Sequence, residues 1–227
     1  MKTLKFYLSI ILAVSAWNLL SAQSSDVVYK NAMERMLSVV DTAKTSTEMV
    51  QAGNGFERIA MQYPKQWQPA YYTAYSFIQS VLYSPKDVAA EKRLIKAKEW
   101  LDKSDGYKDA DKSEWATLRG NYFMAFIAMN PDVNGKQFYS QVMNEYKKAI
   151  ALSSENPRPR LMLAVFEQNL PDFLRSKGDF CETMKAIGLL LDAETESIEK
   201  PYWGKAFYKM VSAKCLMQNG VKSDKNN

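Results

Sequence analysis

Histidine, the side chain most often used for acid–base catalysis and metal binding, is absent from this chain of 227 residues. The sequence also lacks a G-x-S-x-G nucleophile motif, a phosphate-binding glycine loop and a pair of cysteines at zinc spacing. Two opposed carboxylates could in principle hydrolyse a glycoside, but the Asp and Glu residues fall mainly at predicted helix starts and linkers. The sequence therefore predicts no enzyme, no metal site and no cofactor.

Aromatic side chains are the next candidates for chemistry, because Tyr and Trp rings can stack on sugars or hold a peptide. Five of them could line one face of the protein: Trp67, Tyr71, Tyr72, Tyr75 and Trp115. Their helical spacing favours the alternative that they pack between helices in the core. Tyr72 is the best exception, since it lies off the stripe that Tyr71 and Tyr75 share. The sequence leaves both interpretations open.

The N-terminus has the pattern of a secretory signal peptide, residues 1–22. Lys2 and Lys5 precede an apolar run over residues 6–16, and the small residues Ser21 and Ala22 follow. The run is short for a membrane span, which needs about 20 apolar residues, so cleavage is favoured over anchoring. We expect cleavage near Ala22, a periplasmic or secreted protein, and no stable membrane insertion after cleavage.

Basic residues do not form a nucleic-acid site in this sequence. The formal net charge is only +5, and the basic run over residues 92–98 lies between Glu91 and Glu99. Mixed charges of this kind are typical of a solvated helix face. We therefore expect no nucleic-acid partner.

The pattern of apolar residues predicts an all-α protein, because no segment keeps the two-residue alternation of a half-buried strand. Prolines separate the apolar-periodic stretches and divide the chain into about nine helices. These are expected near residues 26–42, 46–62, 69–83, 86–103, 112–129, 136–153, 158–170, 179–196 and 202–217. Their short connections predict antiparallel helical hairpins.

Helix starts carry local signals as well. A side-chain oxygen is followed three residues later by an acid, the pattern of a capping box, at Thr45/Glu48, Asp111/Glu114 and Asp179/Glu182. Ser84-Pro85 and Asn156-Pro157 each combine a cap with proline at the first helical position.

Aromatic and small residues recur at helical spacing along the predicted hairpins. The strongest local match is "WATLRGNYF", in which Gly120 allows close backbone approach, together with "EYKKAIALSSENP". This pattern resembles the tetratricopeptide repeat (TPR), with eroded repeats. The resemblance implies helical hairpins stacked as an α-α superhelix over residues 23–218. The last residues, 219–227, are polar and are expected to form a disordered tail. With its export signal, the chain is similar to small secreted TPR-like proteins of Bacteroidota-type bacteria.

The two cysteines of the chain, Cys181 and Cys215, are predicted to form a disulfide. Each lies 17 residues from position 198, in the turn predicted between the last two helices. Because a helix rises about 1.5 Å per residue, an antiparallel hairpin brings both to nearly the same height. An exported chain also meets an oxidising compartment. The alternative is two buried free cysteines that act as small apolar residues.

By fold analogy, the resemblance implies a function in binding. Stacked repeats expose an extended concave surface, so we expect a non-catalytic exported scaffold that binds a protein or peptide of the cell envelope. The alternative is an accessory glycan-binding protein of the cell envelope. No sequence feature identifies the partner or the oligomeric state.

Overall fold

The computed structural model describes residues 26–223, with side chains described as far as Cys215, so the predicted signal peptide lies outside the described residues. Within this part of the chain there are nine α-helices and no named strand, which confirms the all-α prediction. The helices are α1 (26–42), α2 (Ser46–Gln62), α3 (Trp67–Tyr83), α4 (Ala90–Asp102), α5 (Lys112–Met129), α6 (Pro131–Leu152), α7 (Pro157–Gln168), α8 (Phe180–Ala193) and α9 (Lys205–Ser223). Across residues 26–223, no helix is long and apolar enough to cross a membrane.

Side-chain caps account for several helix starts. The Thr45 hydroxyl accepts the Glu48 N–H, and the Glu48 carboxylate accepts the Thr45 N–H at 2.9 Å, so this capping box is confirmed. Asn156 caps α7 ahead of Pro157, and Asp179 caps α8, each by accepting backbone N–H groups of the first turn. These oxygens satisfy donors that a helix start leaves unpaired.

Four helices begin two or more residues away from the positions expected from the sequence, among them α9, which begins at Lys205 and not at residue 202. α3 begins at Trp67 and not at residue 69, and α6 begins at Pro131 and not at residue 136. α4 begins at Ala90 and not at residue 86, because the Asp87 carboxylate accepts the backbone N–H two residues later and holds a turn there. The cap predicted at Ser84-Pro85 is therefore wrong.

Consecutive helices pack as antiparallel hairpins. The Ser46 hydroxyl, at the start of α2, donates to the Ser80 carbonyl near the end of α3 at 2.7 Å. The Ser113 hydroxyl, at the start of α5, donates to the Ala149 carbonyl near the end of α6 at 2.9 Å. Alternate helices also touch, α3 against α5 and α5 against α7. The starts of α3, α5 and α7 consequently lie side by side.

The core has two parts. A large apolar cluster runs from α1 to α7, and a smaller one joins α7, α8 and α9 around Leu161, Met184 and Ile187. α3 lies at the centre of the large cluster, with most of its side chains buried. Gly120 in α5 lies against the ring of Tyr146 in α6, in space that a Cβ atom would fill. The close approach at this glycine is therefore made by a side-chain ring and not, as predicted, by a second backbone.

The predicted disulfide between Cys181 and Cys215 is present, with the two Cα atoms 5.4 Å apart. It joins the start of α8 to the distal half of α9, as the antiparallel hairpin geometry required. α9 continues to Ser223, so residues 219–223, assigned to a tail from the sequence, have helical backbone.

Candidate functional site

All five aromatic residues that were candidates for partner binding lie in the core. Trp67 and Tyr75 are 7% exposed, and Tyr71, Tyr72 and Trp115 are at most 2% exposed. The rings pack against one another, with centroids 5.7 Å apart for Trp67 and Tyr71 and 5.6 Å apart for Tyr71 and Trp115. Their places agree with the core-packing alternative, because α3 is covered by its neighbours on nearly every side.

A buried ion pair joins the starts of α5 and α7. The Arg158 Nε atom lies 2.7 Å from Glu114 Oε1, and the two side chains are 5% and 2% exposed. Glu114 also accepts hydrogen bonds from the Tyr71 hydroxyl and the Asn156 amide, both at 2.7 Å. The edge of the guanidinium formed by its two Nη atoms donates to both carboxylate oxygens of Glu194 at 2.7 and 2.9 Å. Each charge in this cluster therefore has a partner, and Glu114 and Arg158 are both buried.

Burial and the neighbouring charges shift the pKa values of Glu114, Arg158 and Tyr71 upward. Burial raises the pKa of Glu114, while the charge of Arg158 and the hydrogen bonds from Tyr71 and Arg158 oppose that rise. Burial acts to lower the pKa of Arg158, but the carboxylates of Glu114 and Glu194 outweigh it, and the net shift is upward. Burial and the nearby Glu114 carboxylate hold the pKa of Tyr71 well above its usual range.

Sequence reasoning missed this cluster. It assigned Glu114 to the second half of a capping box, and Asp111 does cap α5, but the Glu114 carboxylate turns inward to Arg158. A partner 44 residues away leaves no local pattern. A charged residue within the apolar stripe of α5 was the one available signal.

A segment between α8 and α9, residues 194–204, crosses over α1, α3 and α7; we call it the crossing loop. The indole of Trp203 lies beside Tyr75, with centroids 4.9 Å apart, and its Nε1 donates to the Tyr71 hydroxyl at 2.7 Å. The Tyr202 hydroxyl donates to the Asp41 carboxylate in α1 at 3.0 Å. The crossing loop therefore covers part of the aromatic face of α3 that was a candidate for partner binding.

Arg158 holds both ends of the crossing loop. Its Nη atoms bind Glu194 at the first end, and Nη1 lies 3.4 Å from the Trp203 carbonyl oxygen at the second. Gly204 closes the loop with a φ of +117°, a conformation that side chains with a Cβ atom rarely adopt. The buried ion pair and the loop are thus one connected structure.

An open cleft of about 310 Å³ lies beside this cluster, at the start of α5. Its lining combines aromatic and apolar side chains with three cations: Tyr107, Trp115, Leu152, Lys112, Arg119 and Lys148. The Tyr107 and Trp115 rings are parallel within 6°, with centroids 6.4 Å apart. The Trp115 Nε1 is buried and has no hydrogen-bond partner among the described residues. Burial raises the pKa of Tyr107, so its hydroxyl stays a donor at neutral pH.

The charges of this cleft are predominantly positive. Arg119 donates to the Ser104 hydroxyl at 2.5 Å and lies 3.8 Å from Asp105, the one carboxylate in the lining. Lys112 and Lys148 are exposed and form no ion pair with any described residue. Two available ammonium groups beside apolar rings suit an anion with a flat, apolar body. The described residues include no group of three or more side chains positioned to hold a metal ion.

No protein-family model matches the chain, and no curated protein matches it. Among solved structures, the chain is similar to the HusA haemophore from Porphyromonas gingivalis, with a TM-score of 0.74 and 24% sequence identity. The match covers 84% of this chain and 94% of that chain. At this identity the likeness shows a shared fold.

Proposed function

We propose that this chain is an exported, non-catalytic binding protein whose cleft at the start of α5 takes a flat, anionic, largely apolar small molecule. Haem is the first ligand to test. The observation that carries the proposal is the pair of lysines without ion-pair partners beside the parallel Tyr107 and Trp115 rings. The shared fold with a protein named a haemophore supports the choice of ligand. The signal-peptide pattern and the disulfide support export.

Haem has a planar apolar ring and two propionate carboxylates at one edge. In the proposed arrangement the ring would lie along Tyr107, and Lys112 and Lys148 would pair with the propionates. The chain has no histidine to bind the iron. We therefore expect haem and iron-free protoporphyrin to bind with similar affinity, and the dimethyl ester of protoporphyrin to bind more weakly.

The test is a titration with each porphyrin, followed by tryptophan fluorescence quenching and by the porphyrin absorption band. Replacing both cleft lysines, Lys112→Gln and Lys148→Gln, should raise the Kd for haem about two- to thirtyfold, since each exposed ion pair contributes about 0.2–1 kcal/mol. Lys147→Gln is the matched control, because Lys147 is equally exposed and lies outside the cleft lining. An equal effect of both changes, or no saturable binding, would reject the proposal.

The absence of catalysis is part of the same proposal. Glu114, Arg158 and Tyr71 resemble catalytic groups by type, but each is fully hydrogen-bonded within the protein. No acid or base in that cluster is left to act on a substrate.

A protein partner and a glycan are the competing ligand classes. Pull-down from a periplasmic extract beside a glycan array distinguishes them from the porphyrin.

We also propose that the helices form a TPR-like stack. Contacts between α3 and α5 and between α5 and α7 support this assignment, because stacked hairpins bring alternate helices together.

A further inference from the structure

We propose that the crossing loop occupies a groove that can bind an extended segment of a protein partner. In this structure the loop takes the place of that segment. The partner segment would carry an adjacent Tyr-Trp pair and an acidic residue about eight positions before it. This inference concerns a surface other than the porphyrin cleft and does not rest on porphyrin binding.

The groove is defined by what it already holds. Tyr71 and Tyr75 of α3 form a slot that receives an indole, and Asp41 of α1 accepts a tyrosine hydroxyl. Arg158 of α7 binds a carboxylate in bidentate fashion, and the Gln68 amide donates to a backbone carbonyl of the loop at 3.2 Å. Aromatic anchors, one charge-assisted contact and a main-chain hydrogen bond are the contacts typical of peptide recognition.

Unpartnered polar atoms on α3 show that the loop fills the groove incompletely. Gln68 Oε1 and Ser76 Oγ are buried, and neither has a hydrogen-bond partner among the described residues. Gln68 and Ser76 lie eight positions apart on one stripe of α3, and Gln68 holds the loop. The Tyr72 hydroxyl between them interacts with the backbone of Tyr202 in the loop. Buried polar atoms are rarely left unsatisfied in folded proteins. A peptide with more main-chain or polar contacts than the loop would satisfy them.

The loop is less buried than the helices around it. Thr195, Glu196, Glu199 and Lys200 are exposed, so the contacts of the loop with the core are limited to Glu194, Ile198 and Pro201–Trp203. The disulfide keeps α8 and α9 joined when those contacts open. Segments with few buried contacts open at lower free energy than the core around them.

The test uses a fluorescein-labelled peptide with the loop sequence, ETESIEKPYWG, and a variant protein in which Tyr202→Ala and Trp203→Ala empty the slot. By fluorescence anisotropy, we expect the variant to bind this peptide at least tenfold more tightly than the wild type, in which the loop competes. A control peptide, ETESIEKPAAG, should bind at least tenfold more weakly. Equal binding of both peptides, or no binding to a variant with native circular dichroism and an intact disulfide, would overturn the proposal.

Hydrogen exchange of the unaltered protein gives a second test if the variant does not fold. Backbone amides of Glu199, Lys200, Tyr202 and Trp203 should exchange at least a hundredfold faster than those of residues 184–191 in α8. Exchange of both segments at one common rate would mean that the loop opens only on global unfolding, and would overturn the proposal.

Discussion

Removal of Arg158 tests whether the buried cluster holds the fold together. Arg158→Met keeps most of the side-chain volume but leaves Glu114 without its cation. Removing one member of a buried ion pair costs about 3–5 kcal/mol. Glu114 retains hydrogen bonds from Tyr71 and Asn156, and the Glu194 side chain is 20% exposed, so both carboxylates keep some stabilisation. We therefore expect a loss near the lower limit, about 3 kcal/mol at pH 7.

The pH dependence of this loss has a definite sign. Burial already raises the pKa of Glu114 above its ordinary 4.5, and Arg158 opposes that rise. Without Arg158, the pKa in the folded protein rises further. A carboxyl group with a raised pKa in the folded state stabilises the fold below its unfolded pKa, and this contribution is lost as the pH rises through the folded pKa. The deficit of Arg158→Met should therefore be smallest below about pH 4.5 and grow toward neutral pH.

The assay is urea unfolding followed by circular dichroism at several pH values between 4 and 7, with the disulfide oxidised. Arg160→Met is the matched control. Arg160 lies two residues further along the same helix, and its Nε atom donates only to a backbone carbonyl at the surface, at 3.0 Å. Its effect should stay within about 0.5 kcal/mol. A loss below about 1 kcal/mol for Arg158→Met at pH 7, or a deficit that grows on acidification, would refute the reasoning.

Three further changes probe the core. Trp67→Ala should cost about 3–5 kcal/mol because it empties a buried site, and an unchanged melting temperature would instead indicate an exposed platform. Replacing both cysteines with serine should lower the free energy of unfolding by about 3–4 kcal/mol, because the disulfide spans a sequence separation of 34 residues. Urea midpoints measure this loss, and equal midpoints for variant and wild type would contradict it. Gly120→Ala should cost about 1–3 kcal/mol because the methyl group meets the Tyr146 ring. Gly106→Ala meets open space and should change the unfolding free energy by less than about 1 kcal/mol, so equal losses would contradict the packing argument.

Much of the fold was predictable because its signals are local. The capping box at Thr45 and the cap at Asn156 involve partners only two or three residues away. The start of α4 was predicted wrongly for a related reason. The Asp87 carboxylate stabilises a turn by accepting a backbone N–H. The sequence did not indicate whether this turn or a helix beginning at Ser84-Pro85 would form.

The candidate site was less predictable than the fold. The sequence selected Trp115, which borders the cleft, but gave no reason to associate it with Lys112 and Lys148. The cleft forms where residues 104–110, the first half of α5 and the end of α6 meet. Exposed lysines are common on helices, so no sequence pattern indicates that these two lie beside Tyr107 and Trp115.

By itself, the sequence determined the helices and the cysteine pairing. Both depend on the regular rise of the α-helix, which converts spacing along the chain into position along a hairpin. Only the tertiary structure decided two contacts. Glu114 pairs with Arg158 instead of completing the expected capping box, and Trp203 donates to Tyr71, 132 residues away. Those contacts join segments that lie far apart in the sequence. A buried carboxylate requires a cation wherever the fold places one, and no periodicity records that requirement.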